Sequence, residues 1–426
     1  MNPETNTQTS ESITSSSNSF SQTPQHRRSG SNNRRPRHTP ARSTVGPKFD
    51  TQVTGKRETD HIPPLKDGDI RVIHFGGVEE IGRNMSMVEY KDSIIIVDCG
   101  VQFTETNTPG IDFILPNTRY LEEHKHKIKG VLVTHGHLDH IGSIPYIMPR
   151  IGNPQIYSRL FTSLMIKKRQ EEFPHLAPLT INIIEAGDSI KLGELNVVFF
   201  GVKDTAPSEM GIIIETPYGD IVHTGDLRLE HNDGVPTDDE EERYKLFESR
   251  KVLLLMADSA GSENGGFSLS DTAVSDSIET VMKETTGRLI LVTFASQVER
   301  MLSILSIAEK LGKKVLLEGK SMRLNAEIAN QATMLGSKKD ILITYDDLTR
   351  YPEESIVIVT TGEQGEEFAA LGRIASNTHK FIRLSARDTV LMSSAIVPGI
   401  RRQLQGVKDK FSREDAHLVE YKTSDT

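Results

Sequence analysis

A chain of 426 residues, 36% hydrophobic and 26% charged, is too long for one ordinary domain and has the composition of a protein with packed cores. Its apolar runs end at buried-strand length, which excludes a membrane-spanning helix, and no apolar signal core opens it, which argues against secretion. One cysteine, Cys99, rules out an internal disulfide and suits a reducing cytoplasm, where it is expected as a small buried hydrophobe.

Residues 1–62 are rich in Ser, Thr, Asn, Gln and Pro and read as a disordered basic tail. Between Ser21 and Lys48 stand seven basic residues (Arg27, Arg28, Arg34, Arg35, Arg37, Arg42, Lys48) and no acidic one. That is either a solvated tail or a salt-sensitive tether for a polyanion such as RNA. Glu4 and Glu11 argue against a mitochondrial presequence. Beyond residue 62, 41 basic residues face 54 acidic ones, a net of −13, so the body is no general polyanion binder. Attraction for nucleic acid there would need a local site or bound cations.

The folded part opens with the strand candidates "IRVIHFGG", "MSMVEY" and "SIIIVDCG", followed by "KIKGVLVT" and a helix from Ile141. "ELNVVFFG" and "MGIIIETPYGDIVHTGD" are further strands, the second turning at Tyr218-Gly219-Asp220. After about Ser249 strands and helices alternate. "KVLLLMAD" precedes a helix with Val274, Ile278, Val281 and Met282 on one face. "RLILVTF" leads into a helix from about Gln297 to Leu311, which Gly312 ends. "KVLLEG", "DILITY" and "SIVIVTTG" complete a pattern that predicts a parallel sheet covered by helices on both faces, and "DTVLMSSAIV" is a last strand broken at Pro398-Gly399.

The chemistry concentrates in "THGHLDHIG", where His135, His137, Asp139 and His140 fall within six positions directly after an apolar strand. In a core each would need its own polar partner, whereas imidazole and carboxylate together suit zinc or manganese. On an extended loop His135 and His137 point one way, leaving Asp139 and His140 to turn towards a neighbouring ion, and Gly136 permits the tight path.

"THGHLDHIG" resembles the signature of the metallo-β-lactamase fold. With "HFGGVEEIGRNMSMVEY", "VDCGVQF", "GIDFILPNTRYLEE", "IVHTGDLRL" and "TFASQVERMLSI", the chain from about Asp69 onward resembles bacterial ribonuclease J. The resemblance implies an α/β protein: a metallo-β-lactamase αββα sandwich with an inserted parallel α/β β-CASP domain. The main part of the sandwich is expected at 63–248, the β-CASP domain at 249–380 and a truncated return to the sandwich at 381–426. Carried over, His135 and His137 bind one cation, Asp139 and His140 the other, and Asp226 of "HTGD" bridges both. Asp98 orients a ligand histidine, or else caps a strand end. Gly110 and Asp112 match a position where some relatives hold an extra structural cation; the alternative is a plain turn.

Two departures accompany it. Where the family has a metal-binding histidine, "GVKDTAPSEMG" offers Asp204. The family's later Ser-Gly-His motif and its C-terminal dimerisation domain are expected beyond "VEYKTSDT". Asp258 matches an acidic β-CASP motif, or caps the next turn. Ser296 and Gln297, between strand and helix, and Gly362 and Gln364 of "TTGEQGEE", are candidate RNA contacts.

The implied reaction is metal-assisted phosphodiester hydrolysis of single-stranded RNA in RNA maturation and decay. It would be 5′-to-3′ exonucleolytic and endonucleolytic, cytoplasmic and off the membrane. Two divalent ions, zinc or manganese, would supply hydroxide near neutral pH, with Asp139 and Asp226 holding them. A separately encoded C-terminal fragment, another ribonuclease or a second copy of the chain would be a partner. Two other readings remain open: a degenerate relative that binds RNA or a ribonuclease without cutting, and a hydrolase of a small ester or thioester.

Overall fold

The computed structural model describes residues 62–104, 110–263, 265–361, 366–393 and 401–420. The tail at 1–62 (apart from Ile62), Gly362, Gln364 and the break at Pro398-Gly399 lie outside the described residues.

Three sheets organise it. The first has six strands in spatial order β1 (Ile70–Gly76), β2 (Met85–Tyr90), β3 (Ser93–Val97), β4 (Ile128–Leu132), β5 (Ile156–Ser158) and β6 (Ile181–Ile183). β1 to β3 are an antiparallel meander, and β3 to β6 run parallel. The second sheet holds β7 (Ser189–Leu192), β8 (Leu195–Gly201), β9 (Met210–Thr216), β10 (Gly219–His223) and β11 (Val252–Met256), antiparallel except for the β10–β11 pair.

Strand alternation explains how these two sheets pack. Ile95 and Val97 of β3 face inward onto Leu195, Val197, Phe199, Ile212 and Ile214 of the second sheet. Ile94 and Ile96 face outward, under Leu121, Ile141, Ile144, Ile147 and Ile166. On the far face of the second sheet, Phe200, Ile213 and Val222 lie against Tyr244, Leu246 and Phe247. Successive side chains of a strand point to opposite faces, so a run of buried residues requires cover on both. The result is the expected αββα sandwich. The helix expected from Ile141 is instead two short ones, Leu138–Ile141 and Ile144–Ile147. Pro145 cannot donate a backbone hydrogen bond and stands at the start of the second, where that costs nothing.

The third sheet is parallel throughout: β14 (Leu342–Ile343), β13 (Lys314–Glu318), β15 (Ile356–Thr360), β12 (Leu289–Val292), β16 (Thr389–Met392) and β17 (His417–Glu420), in that spatial order. Its even and odd positions feed separate cores. Leu289, Leu291, Val357 and Val359 pack under the helices Asp271–Glu284, Val298–Lys310 and Lys320–Gln331. Ile290, Val292, Ile356 and Ile358 pack against Leu371, Ile374, Leu404, Val407 and Phe411 from the helices Glu366–Ala375 and Arg401–Arg413. Each such fully buried aliphatic side chain contributes about 1.5–3 kcal/mol.

The pairing departs from the expected division at 249 and 381. β11 belongs to the sandwich, because it lies parallel beside β10. β16 and β17 extend the third sheet, with no strand between 381 and 420 returning to the sandwich among the described residues. A short apolar run carries no record of its partner strand, and parallel partners are distant in sequence.

Asp388 shows what fastens β16 and β17 in place. Fully buried, its carboxylate accepts hydrogen bonds from Arg288 Nε (2.9 Å) and Nη2 (2.7 Å) and from the Ser385 N–H (2.9 Å). Its carbonyl accepts from the His417 N–H (2.9 Å) and the Thr389 N–H donates to Arg288 O (2.9 Å), so three strand starts meet here. Asp388→Ala leaves a half-buried guanidinium with only the Arg383 carbonyl for a partner and is expected to lower unfolding free energy by about 3 kcal/mol, measured by urea denaturation.

Candidate metal centre

The site lies where the first sheet ends. β3 runs into Asp98 and β4 into Thr134, and the two meet: buried Asp98 accepts from the Thr134 N–H at 2.8 Å and from its hydroxyl. Asp98 sits at φ +62°, a left-handed conformation a non-glycine residue adopts at some cost. Next along the chain, Gly100 touches the turn that carries the ligands. A Cβ there would stand 1.5 Å from the Asp139 carbonyl oxygen, so only glycine fits. The Cys99 N–H donates to His140 O (2.8 Å) and the Asn84 N–H to Asp139 O (2.9 Å), which pins the short Leu138–Ile141 helix. Cys99 is buried as expected, and burial pushes its thiol up to about 12.

Two groups of ligand atoms result, each within 4.8 Å: His135, His137 and Asp226, and Asp139, His140 and Asp226. This is the division read from the sequence, with Asp226 common to both. His135 Nε2 lies 3.0 Å from His137 Nδ1 and 3.6 Å from Asp226 Oδ2. His140 Nε2 lies 3.2 Å from Asp226 Oδ1 and 3.6 Å from Asp139 Oδ2. Ring orientations follow from the other nitrogens. His140 Nδ1 is 2.9 Å from Asp98 Oδ2 and His135 Nδ1 is 3.0 Å from the Thr134 hydroxyl, which leaves Nε2 of both facing the centre. His137 turns Nε2 towards the Ser296 carbonyl at 3.3 Å and Nδ1 inward.

Electrostatics sharpen the picture. Burial opposes a charged His140 ring, but Asp98, Asp226 and Asp139 override it and hold its pKa well above the usual value. Burial and the neighbouring rings of His140 and His137 hold His135 well below. Burial would raise Asp226, yet the three histidines keep it well under the ordinary carboxylate range.

Glu209, at the head of β9, was not singled out by sequence reasoning. It is 2% exposed, no side chain among the described residues hydrogen-bonds its carboxylate, the Ala206 backbone offers only a weak interaction, and Oε1 lies 3.9 Å from His135 Nε2. Burial first, then Asp204 and Asp226, push its carboxyl up to about 11. The available signal was an acid directly preceding the apolar run "MGIII", where a charge needs a partner. Asn84 was missed as well; its Nδ2 lies 3.2 Å from Asp139 Oδ2 and 2.9 Å from His140 Nε2. Mixed imidazole and carboxylate donors, with a buried carboxylate that no side-chain donor among the described residues satisfies, fit divalent cations.

The remaining candidates fall elsewhere. Asp204 belongs to neither group; Oδ2 accepts from the Thr205 hydroxyl (3.0 Å) and the residue lines a polar cavity of about 480 Å³ with Lys203, Asp271 and Arg300. Asp258 is exposed and caps its turn, accepting from the Ala260 N–H (2.7 Å), while Oδ2 accepts from the Leu227 N–H (3.3 Å) beside Asp226. Gly110 and Asp112 are exposed and enter no ligand group among the described residues. Ser296 and Gln297 stand between β12 and the helix Val298–Lys310 as expected; Gln297 Oε1 accepts from the Thr293 hydroxyl (3.0 Å).

Residues 78–316 match the metallo-beta-lactamase superfamily, and the chain belongs to it. Residues 286–411 match the Ribonuclease J, beta-CASP domain. Similar curated proteins are the Ribonuclease J of Mycoplasma genitalium, 35% identical over 82% of this chain and 61% of its own length, and that of Thermus thermophilus, 35% identical over 82% and 62%. The chain thus spans about three fifths of the length of these relatives. Among solved structures, a protein of unknown function from Enterococcus faecalis V583 shares the fold, with a TM-score of 0.58 and 19% identity over 82% of this chain and 87% of that one. No helix among the described residues is long and apolar enough to cross a membrane.

Cation binding must displace the His140 proton, so affinity is expected to rise with pH through and above neutrality. Asp98→Asn removes the charge that orients His140 and is expected to weaken Mn²⁺ binding by about 10–100-fold, measured by isothermal titration calorimetry.

Proposed function

We propose that this chain is a metal-dependent ribonuclease that hydrolyses phosphodiester bonds of single-stranded RNA. The observation that carries the reading is the convergence of two histidine–aspartate groups on Asp226, directly beside Ser296 of the segment similar to the Ribonuclease J, beta-CASP domain. The curated relatives named Ribonuclease J support it.

His135, His137 and Asp226 would hold one divalent cation, and Asp139, His140 and Asp226 another. Zinc or manganese held there would supply activated water and offset charge building on the phosphoryl oxygens. Asp98 keeps His140 presenting Nε2, and the Ser296 carbonyl does the same for Nδ1 of His137. Asp258, through the Leu227 N–H, steadies the loop bearing Asp226. Ser296 and Gln297, with Gly362 and Gln364, contact the RNA, and the basic stretch Arg27–Lys48 tethers it loosely. Asp204 contributes charge at the edge of the site. The action is 5′-to-3′ exonucleolytic and endonucleolytic, serving RNA maturation and decay in the cytoplasm. Another ribonuclease or a second copy of the chain is its protein partner.

The purified chain, given manganese or zinc, is expected to cleave a 5′-monophosphorylated single-stranded RNA. His137→Ala, prepared identically, is expected to lose at least about a hundredfold in rate, since a lost ligand costs no less than a lost orienting partner. Absence of cleavage by the wild-type chain with either metal, or equal rates for both proteins, contradicts the reading.

A further inference from the structure

We propose that Glu209 is a ligand of the cation held by His135, His137 and Asp226, in the role first assigned to Asp204. The inference rests on the two-cation reading of the site and deepens it. Ligand atoms about 2.1 Å from a shared ion stand about 3–4 Å apart. Around His135 Nε2 the neighbours are His137 Nδ1 at 3.0 Å, Asp226 Oδ2 at 3.6 Å and Glu209 Oε1 at 3.9 Å, all within that range; like Asp204, Glu209 stands outside the mutually close group of His135, His137 and Asp226, and joins it by a turn of its side chain.

Burial and the shortage of donors separate Glu209 from Asp204. At 2% exposure, with no side-chain hydrogen bond among the described residues, a glutamate anion there is offset only by the Ala206 backbone and the charge of His140, which do not make up for its burial beside Asp204 and Asp226; a cation would. Asp204 has its hydroxyl partner in Thr205 and faces the polar cavity. The residues also differ in where the backbone leaves them. Asp204 lies in the loop after β8, whereas Glu209 immediately precedes Met210, which pairs with Gly201 as β9 begins. Glu209 is therefore anchored by the sheet and the longer side chain reaches the ring of His135. A consequence follows for the ion. Two imidazoles and two carboxylates make a harder donor set than three imidazoles and one carboxylate, which shifts preference from zinc towards manganese.

The test is calorimetric titration of the full chain, stripped of metal, with Mn²⁺ and separately with Zn²⁺, for the wild type, Glu209→Gln and Asp204→Asn. Melting curves in chelator accompany each. Glu209→Gln keeps the shape of the side chain without its charge. It is expected to melt no lower than the wild type in chelator, yet to lose Mn²⁺ affinity at one of two sites by about tenfold or more, with a smaller loss for Zn²⁺. Asp204→Asn is expected to bind within about threefold of wild type. Unchanged Mn²⁺ affinity in Glu209→Gln, or a loss confined to Asp204→Asn, overturns the assignment while leaving the two-cation site standing. A wild-type chain that binds neither ion overturns both.

Discussion

The carboxylate of Asp98 is the constraint on which the ligand geometry depends. It joins the end of β3 to the start of the histidine loop through Thr134 and then turns His140. Because β3 and β4 are neighbours in a parallel ladder, both reach the same edge of the sheet, and one buried acid can serve both. The positive φ of Asp98 is the cost of aiming the carboxylate across that edge instead of along its strand. Gly100 then lets the backbone lie against Asp139 with no side chain between them. Loop residues that offer four candidate ligand atoms are thereby held by a rigid sheet, which a mobile loop could not do.

Charge is distributed unevenly around this frame. Asp98, Asp139, Asp204, Glu209 and Asp226 crowd a region with three histidine rings, of which His140 is drawn towards the charged form and His135 away from it. Burying so many carboxylates without cations raises the free energy of the folded state, and binding ions that the unfolded chain does not hold relieves it. The same surplus of acid near the entry is at odds with an RNA backbone unless cations offset it. Electrostatics therefore couple metal occupancy to stability in one place and, on the proposed function, to substrate binding.

Much of this was legible in the sequence because its signals are local. Ile94 to Val97 read as a strand with two buried faces, and that is how they pack. The helix capped at Gln297 and ended near Gly312 is found at Val298–Lys310. The two ligand groups follow from alternate side-chain directions on a short loop, plus Asp226 from the resemblance. What the sequence could not convey is pairing at a distance. "VLLLM" looks alike whether it joins the sandwich or the third sheet, and only its parallel register beside β10 decides. Glu209 escaped notice for the related reason that reach depends on where a strand begins: five residues after Asp204, the chain has turned its next acid into the core beside His135. The helix expected from Ile141 is divided ahead of Pro145, which has no N–H to continue the preceding turn.

The central claim is that Asp226 stands between two cations. Crystals of the full chain grown with Mn²⁺, with diffraction recorded on either side of the manganese absorption edge, test it most directly. The account predicts two anomalous peaks about 3.5–4 Å apart, one beside His135 and His137 and one beside Asp139 and His140, with Asp226 reaching both. A single peak remote from Asp226, or none at full Mn²⁺ saturation, would contradict it.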